Sequence, residues 1–173
     1  MTLRFNARLA TIALTAAMAA AAMPAMAQVM VGGAPMLASK DIIDNAVNSK
    51  DHTTLVAAVK AAGLVETLKG PGPFTVFAPT NAAFAALPAG TVDTLLKPES
   101  KPTLTKVLTY HVVPGQIEPS EIAGTHKTVE GGEVTVTSSG DNWKVNDATV
   151  LCGGVQTANA TVYLIDSVLM PSN

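Results

Sequence analysis

The sequence contains a single cysteine, Cys152, in a chain of 173 residues. No intramolecular disulfide can form, so the stability of the fold must come from its apolar core. With His111 as a base, Cys152 is the best thiol nucleophile that the chain could offer. We favour the simpler interpretation, in which Cys152 packs as a small apolar side chain at the end of a strand.

Motifs for catalysis and metal binding are also lacking. The chain has no Gly-x-Ser-x-Gly turn, which exposes the nucleophile of many hydrolases. Its three histidines, His52, His111 and His126, are far apart and show none of the short spacings of metal ligands. No axial pair for haem can be identified. We therefore predict a protein without enzymatic activity, cofactor or metal.

Charged residues are scarce, at 14% of the chain, and they form no basic cluster. After position 27 the sequence has 9 basic and 13 acidic residues, which gives that part a net charge of −4. A mildly acidic domain without a basic patch argues against nucleic acid or anionic lipid as a partner.

The Ala-rich run at residues 9–22 is shorter than the about 20 residues that a membrane-spanning helix needs, and Pro24 follows it. Arg4 and Arg8 precede the run, and small residues end it at Ala27. This order is typical of a secretory signal peptide, which we place at residues 1–27. Because no cysteine directly follows the run, a lipid would have no site of attachment. We expect a protein that is not membrane-anchored and is secreted to the periplasm or beyond.

Aromatic residues make up only 4% of the chain. The phenylalanines at positions 74, 77 and 84 occupy periodic apolar positions and should lie in the core. Trp143 follows a turn at residues 139–142 and could offer an exposed face to a sugar ring. It could instead cover one side of a sheet, and we favour this second interpretation. Binding of a glycan or small ligand is therefore the alternative function.

Residues 28–40 contain Gly-Gly and a proline without periodicity, which predicts a flexible N-terminal tail. Residues 41–171 suffice for one ordinary domain. Helical spacing extends over residues 41–68, with Asp51 as the predicted N-cap of a second helix and Gly63 as its stop.

Two further helices are predicted at residues 91–96 and 98–111. In the second of these, Leu104, Val107, Leu108 and His111 follow the spacing i, i+3, i+4, i+7, which directs His111 inward.

Strand patterns dominate the rest of the chain, after a first short strand at residues 74–77. Gly131-Gly132 and Asn146-Asp147 are each flanked by strand-like segments, which predicts two hairpins. The predicted strands are residues 125–130, 133–139, 142–145, 148–152 and 161–165. Helices first and short antiparallel strands later indicate an α+β domain.

Three segments carry a resemblance to a known family. They are FTVFAPTNAAFAAL at residues 74–87, LTYHVVPG around Tyr110 and His111, and ANATVYLIDSVLMP at residues 158–171. In this order and spacing they resemble the motifs of fasciclin (FAS1) domains. The resemblance covers nearly all of residues 41–171 and implies a bacterial secreted single-domain member. It implies a wedge of short antiparallel strands packed against several helices.

Five residues match the family's motifs: Thr80, Asn81, Tyr110, His111 and Asp166. The resemblance implies a structural role for them, with Thr80 capping a helix. By analogy with the family, Asn81 is the expected hydrogen-bond partner of His111.

The resemblance implies adhesion or extracellular protein interaction without catalysis. Integrin binding by animal members is attributed partly to an Asp-Ile pair, which here reads Gly154-Val155, so that route is not expected. The candidate interaction surface consists of Val112, Val113, Ile117 and Trp143. We expect a monomer that binds a protein or polysaccharide at a cell surface.

Overall fold

The computed structural model describes residues 29–140 and 142–171, so the predicted signal peptide lies outside the described residues. The helices are α1 (Ile42–Asn48), α2 (Thr53–Ala62), α3 (Val65–Leu68), α4 (Asn81–Ala85), α5 (Thr91–Leu95) and α6 (Lys101–Tyr110). The strands are β1 (Val29–Val31), β2 (Ala34–Met36), β3 (Phe74–Pro79), β4 (Val112–Pro114), β5 (Gly124–Lys127), β6 (Glu133–Ser139), β7 (Asn142–Val145), β8 (Ala148–Gln156) and β9 (Ala160–Ile165). Short 3₁₀ turns precede α2 and α6.

The N-terminal segment is ordered, so the prediction of a flexible tail at residues 28–40 is wrong for β1 and β2. These strands pair antiparallel around Gly32 and Gly33, whose φ angles of 58° and 76° suit a tight hairpin turn. Val31 and Met36 are buried in the core. The hairpin stays in place because it buries these apolar side chains.

Capping residues define the first helices. The Asp41 carboxylate accepts a hydrogen bond from the Asp44 N–H at 2.8 Å and so caps α1. The prediction that Asp51 caps α2 is wrong, because Asp51 lies in the preceding 3₁₀ turn and the N-cap residue of α2 is His52, whose side chain makes no capping bond. Gly63, at φ 73°, ends α2 as predicted.

The main sheet has seven strands in the order β4-β3-β9-β8-β7-β6-β5. Both predicted hairpins are present, because β5 pairs with β6 and β7 pairs with β8, each antiparallel. The α+β class is confirmed. The second and third strands of this order, β3 and β9, form a parallel pair, which the expected wedge of short antiparallel strands did not include. A parallel pair requires a long crossover, and five strands (β4–β8) and three helices (α4–α6) lie between these two along the chain.

Strands β3 and β9 separate two apolar cores. Along β9, Val162 and Leu164 face the first core with the helices, whereas Tyr163 and Ile165 face the second core. This alternation follows from the two-residue period of a strand. Behind β5, the Val129 N–H donates to the Val112 carbonyl oxygen at 2.8 Å, so the two ends of the sheet approach each other around the second core.

No helix within residues 29–140 and 142–171 has both the length and the apolar character needed to cross a bilayer.

Candidate interaction surface around Tyr163

Thr80 and Asn81 hold α4 in place. The Thr80 hydroxyl accepts from the Ala83 N–H at 3.4 Å and caps the helix. The Asn81 side chain accepts from the Thr54 N–H at 3.1 Å and donates to the Lys50 carbonyl oxygen at 2.8 Å. Asn81 therefore joins α4 to the start of α2.

His111 is buried, with 2% of its surface exposed, and Asn81 is not its partner. The two bonds of the imidazole assign Nδ1 as a donor to the Val107 carbonyl oxygen at 2.7 Å and Nε2 as the acceptor of the Leu169 N–H at 2.9 Å. The predicted pairing is wrong because the Asn81 side-chain amide is hydrogen-bonded to the Lys50 carbonyl oxygen and the Thr54 N–H instead. His111 instead connects α6 to the C-terminal segment.

Burial lowers the pKa of His111 to about 4, although its bond to the Val107 carbonyl acts in the opposite direction. The imidazole is thus neutral near pH 7, and both of its nitrogens are already engaged. Cys152 is half-buried against the first core and forms no hydrogen bond with His111. His111 therefore does not serve as the base that would activate this thiol.

Tyr110 and Asp166 also bind backbone groups. The Tyr110 hydroxyl donates to the Glu133 carbonyl oxygen at 2.8 Å, which joins α6 to β6. The Asp166 carboxylate accepts from the Thr149 N–H at 2.8 Å, which joins the end of β9 to β8. The contacts of these motif residues are therefore architectural.

Val112 and Val113 are buried, at 6% and 3% exposure, so their assignment to an exposed surface is wrong. Val112 faces the first core and Val113 the second. Both faces of β4 are therefore covered. The sequence of a short apolar segment does not indicate whether one of its faces will be exposed.

Ile117 and Trp143 are brought together around Tyr163. The Tyr163 hydroxyl donates to the Ile117 carbonyl oxygen at 2.9 Å. The Trp143 ring meets the Tyr163 ring edge-on, with a centroid distance of 6.4 Å and an interplanar angle of 77°. Both Ile117 and Trp143 are half-buried and cover the second core from outside.

Two glycines of β8 allow this close approach. A β-carbon at Gly153 would lie 2.7 Å from the Tyr163 ring and 3.1 Å from the Trp143 ring. A β-carbon at Gly154, whose φ is 73°, would lie 2.6 Å from the Pro119 ring. Tyr163 itself is fully buried. We call the residues that lie around and over it, Ile117, Pro119, Trp143, Gly153 and Gly154, the Tyr163 surface.

The loop that carries Ile117 is fixed by Thr75, a fully buried residue of β3. The Thr75 hydroxyl donates to the Gly115 carbonyl oxygen at 2.8 Å and accepts from the Ile117 N–H at 2.8 Å. Burial, and secondarily the charge of Glu118, raise the pKa of Tyr163 to about 12, so its hydroxyl stays protonated and keeps its bond to the loop. Three hydrogen bonds therefore hold the backbone around Ile117 in place.

Sequence reasoning missed Pro119 as a part of this surface and Tyr163 as its buried support. The one available signal was Gly153-Gly154, because adjacent glycines within a strand often mark a close approach of other groups. Within residues 29–140 and 142–171, no group of three or more His, Cys, Asp or Glu side chains could hold a metal ion.

Comparison with known proteins gives consistent matches. The family model described as Fasciclin domain matches residues 50–171. Immunogenic protein MPB70 of Mycobacterium bovis is 54% identical over 131 residues, which cover 73% of this chain and 66% of that protein. Protein sll1483 of Synechocystis is 50% identical over 131 residues, covering 75% of this chain and 73% of that protein.

A further relative, the cell surface glycolipoprotein MPB83 of Mycobacterium bovis, is 48% identical over 145 residues, covering 81% of this chain and 64% of that protein. Among solved structures, the FAS1 domain pair from the insect cell adhesion molecule Fasciclin I is similar, with a TM-score of 0.68 at 12% identity. That match covers 76% of this chain and 51% of the solved chain. The chain thus spans about two thirds of these mycobacterial relatives and one half of the solved pair.

Proposed function

This chain belongs to the fasciclin domain family, and from that premise we propose that it is an exported, non-enzymatic interaction domain that binds a protein partner through the Tyr163 surface. The observation that carries the proposal is the pairing of two half-exposed apolar side chains, Ile117 and Trp143, over the buried Tyr163, which both residues contact. Apolar and aromatic side chains that are held in place lose little entropy on binding, which suits them to an interface.

The names of two similar proteins support a role at a cell surface. One relative is a cell surface glycolipoprotein and one solved neighbour is a cell adhesion molecule. Those descriptions belong to the named proteins, and we extend the general setting to this chain as part of the proposal.

Protein binding is favoured over glycan binding by the packing of Trp143. A sugar ring stacks on a freely accessible aromatic face, whereas the Trp143 ring is half-buried against the second core, beside Tyr163 and Gly153. The part of the Trp143 indole that stays exposed is then one element of a larger contact with a protein.

Site-specific photocrosslinking tests the proposal. Ile117 is replaced by a benzophenone amino acid in the full chain, and Lys60, exposed on α2, is replaced in a matched control. The exported protein is then irradiated on intact producing cells and on neighbouring cells. We expect a discrete protein adduct from position 117, weakened by Trp143→Ala, and none of that mass from position 60.

The same adduct from both positions, or no protein adduct from position 117, would contradict the proposal. An adduct that is sensitive to glycosidases and contains no protein partner would support the glycan alternative instead.

A further inference from the structure

Carboxylates border the Tyr163 surface on one side. Glu118 and Glu121 stand at the two ends of a tight turn, in which the Glu121 N–H donates to the Glu118 carbonyl oxygen at 2.9 Å. Both side chains are exposed. The turn therefore directs two negative charges toward solvent within a few residues of Ile117.

The position of this turn is fixed relative to Trp143. Pro119 within the turn lies against Gly154, and the Trp143 ring lies against Gly153, the preceding residue of the same strand. The charge of Glu118 is also felt at Tyr163, whose pKa it helps to raise. The apolar and acidic features are thus parts of one continuous surface.

The chain segment that carries these carboxylates has no positive charge of its own. The segment from position 115 to position 125 contains no lysine or arginine. Lys144 follows Trp143 in β7, but adjacent residues of a strand point to opposite faces of the sheet. Neither Glu118 nor Glu121 takes part in a salt bridge among the residues that the structure describes.

We propose that the partner of the Tyr163 surface is a protein segment in which basic side chains flank an apolar one. This inference rests on the proposed function and specifies the chemistry of its partner. The apolar side chain packs against Ile117 and Trp143, while the basic side chains approach Glu118 and Glu121. Complementary charge at the rim accelerates encounter and orients the segment, and the apolar contact supplies affinity.

A second copy of this chain does not fit the same surface. Symmetric association through it would bring the Glu118 and Glu121 carboxylates of both copies together, and like charges across an interface are unfavourable. A neutral glycan would gain no charge–charge attraction from the acidic rim.

Fluorescence of Trp143, the chain's one tryptophan, provides the test. The exported protein is titrated with a synthetic peptide of alternating lysine and leucine, and with a matched peptide of alternating glutamate and leucine. We expect the lysine peptide to change the emission of Trp143 and the glutamate peptide to leave it unchanged. Binding should weaken as salt is added.

Charge reversal tests whether Glu118 and Glu121 are the residues that bind the lysine peptide. The double variant Glu118→Lys with Glu121→Lys should bind the lysine peptide at least about tenfold more weakly. The matched control, Asp93→Lys with Glu99→Lys, reverses two exposed acidic residues on the helical side and should bind like the unmodified protein. Thermal unfolding of each variant verifies that it is folded.

Equal binding of the two peptides, no binding of the lysine peptide, or unchanged binding by the Glu118/Glu121 variant would overturn the basic partner. The photocrosslink from position 117 separates this failure from that of the proposed function. If the adduct persists when Glu118 and Glu121 are reversed, the interaction domain stands and only the basic chemistry of its partner is wrong.

Discussion

His111 shows what one buried polar side chain contributes at the scale of a single residue. Helical spacing with Leu104 and Val107 was enough to predict its inward direction, because that periodicity is local. Its actual partner, the Leu169 N–H, lies 58 residues further along the chain. No local pattern encodes such a contact, and the analogy that suggested Asn81 was wrong for this reason.

Substitution of His111 by alanine should lower the free energy of unfolding by about 1–3 kcal/mol, because it removes a buried hydrogen bond to the C-terminal segment and leaves a cavity. Thermal or urea unfolding measures the loss. Binding at the Tyr163 surface should change little once the variant is folded. An unchanged melting temperature combined with lost binding would contradict the architectural role.

Unfolding should also depend on pH through His111. The folded pKa of about 4 lies below the ordinary value of 6.5, so on acidification the unfolded chain takes up a proton before the folded chain does. Stability from this group is fully present above pH 6.5 and decreases by about 3 kcal/mol as the pH falls to 4. Urea unfolding at a series of pH values measures the slope.

His52 acts in the same direction, because burial lowers its pKa despite the nearby charge of Asp51. The contribution of His111 is therefore isolated by comparing the unmodified protein with His111→Gln, in which the slope between pH 6.5 and 4 should decrease but not vanish. Identical slopes in the two proteins would exclude His111 as a source of the acid sensitivity.

At the scale of elements, turns with strong local chemistry were predictable. Gly131-Gly132 and Asn146-Asp147 each separate two antiparallel strands, and Asn146 adopts a φ of 53° as such a turn requires. The N-terminal hairpin was missed because its strands have three residues each and one contains Pro35. Its order comes from tertiary contact, which strand propensity does not measure.

Gly32 and Gly33 form a matched pair that tests this tertiary contact. Both have positive φ angles, but a β-carbon at Gly32 would collide with Ser49 Oγ and lie 2.7 Å from the Asp51 nitrogen, whereas one at Gly33 would meet open space. Gly32→Ala should therefore destabilise the protein by about 1–3 kcal/mol more than Gly33→Ala.

Urea unfolding compares the two variants, and amide hydrogen exchange at Val31 should accelerate in Gly32→Ala alone. Equal effects of the two substitutions would mean that backbone strain, and not the contact with Ser49, dominates at this turn.

For the whole molecule, the order of motifs was sufficient to predict the α+β fold, but not which apolar residues would be exposed. Val112 and Val113 were expected at the surface, and two separate cores cover them. Ile117 and Trp143 come together only because β7, β8, β9 and the loop after β4 meet at Tyr163. A surface assembled from four separate segments depends on the topology of the sheet, including the parallel pair that the sequence did not reveal.

Export is also a property of the whole molecule, and the proposed function requires that the domain leave the cytoplasm. Cleavage after Ala27 would free a chain that starts at Gln28, one residue before β1, so the whole N-terminal hairpin would remain with the domain. We expect intact mass and N-terminal sequencing of the exported protein to give Gln28 as the first residue. Ala25→Leu with Ala27→Leu should block processing, because signal peptidase requires small residues at these positions, whereas Ala20→Leu with Ala22→Leu should not. Recovery of the full-length chain as the exported form, firmly bound to membranes, would contradict the signal peptide and with it the setting of the proposed function.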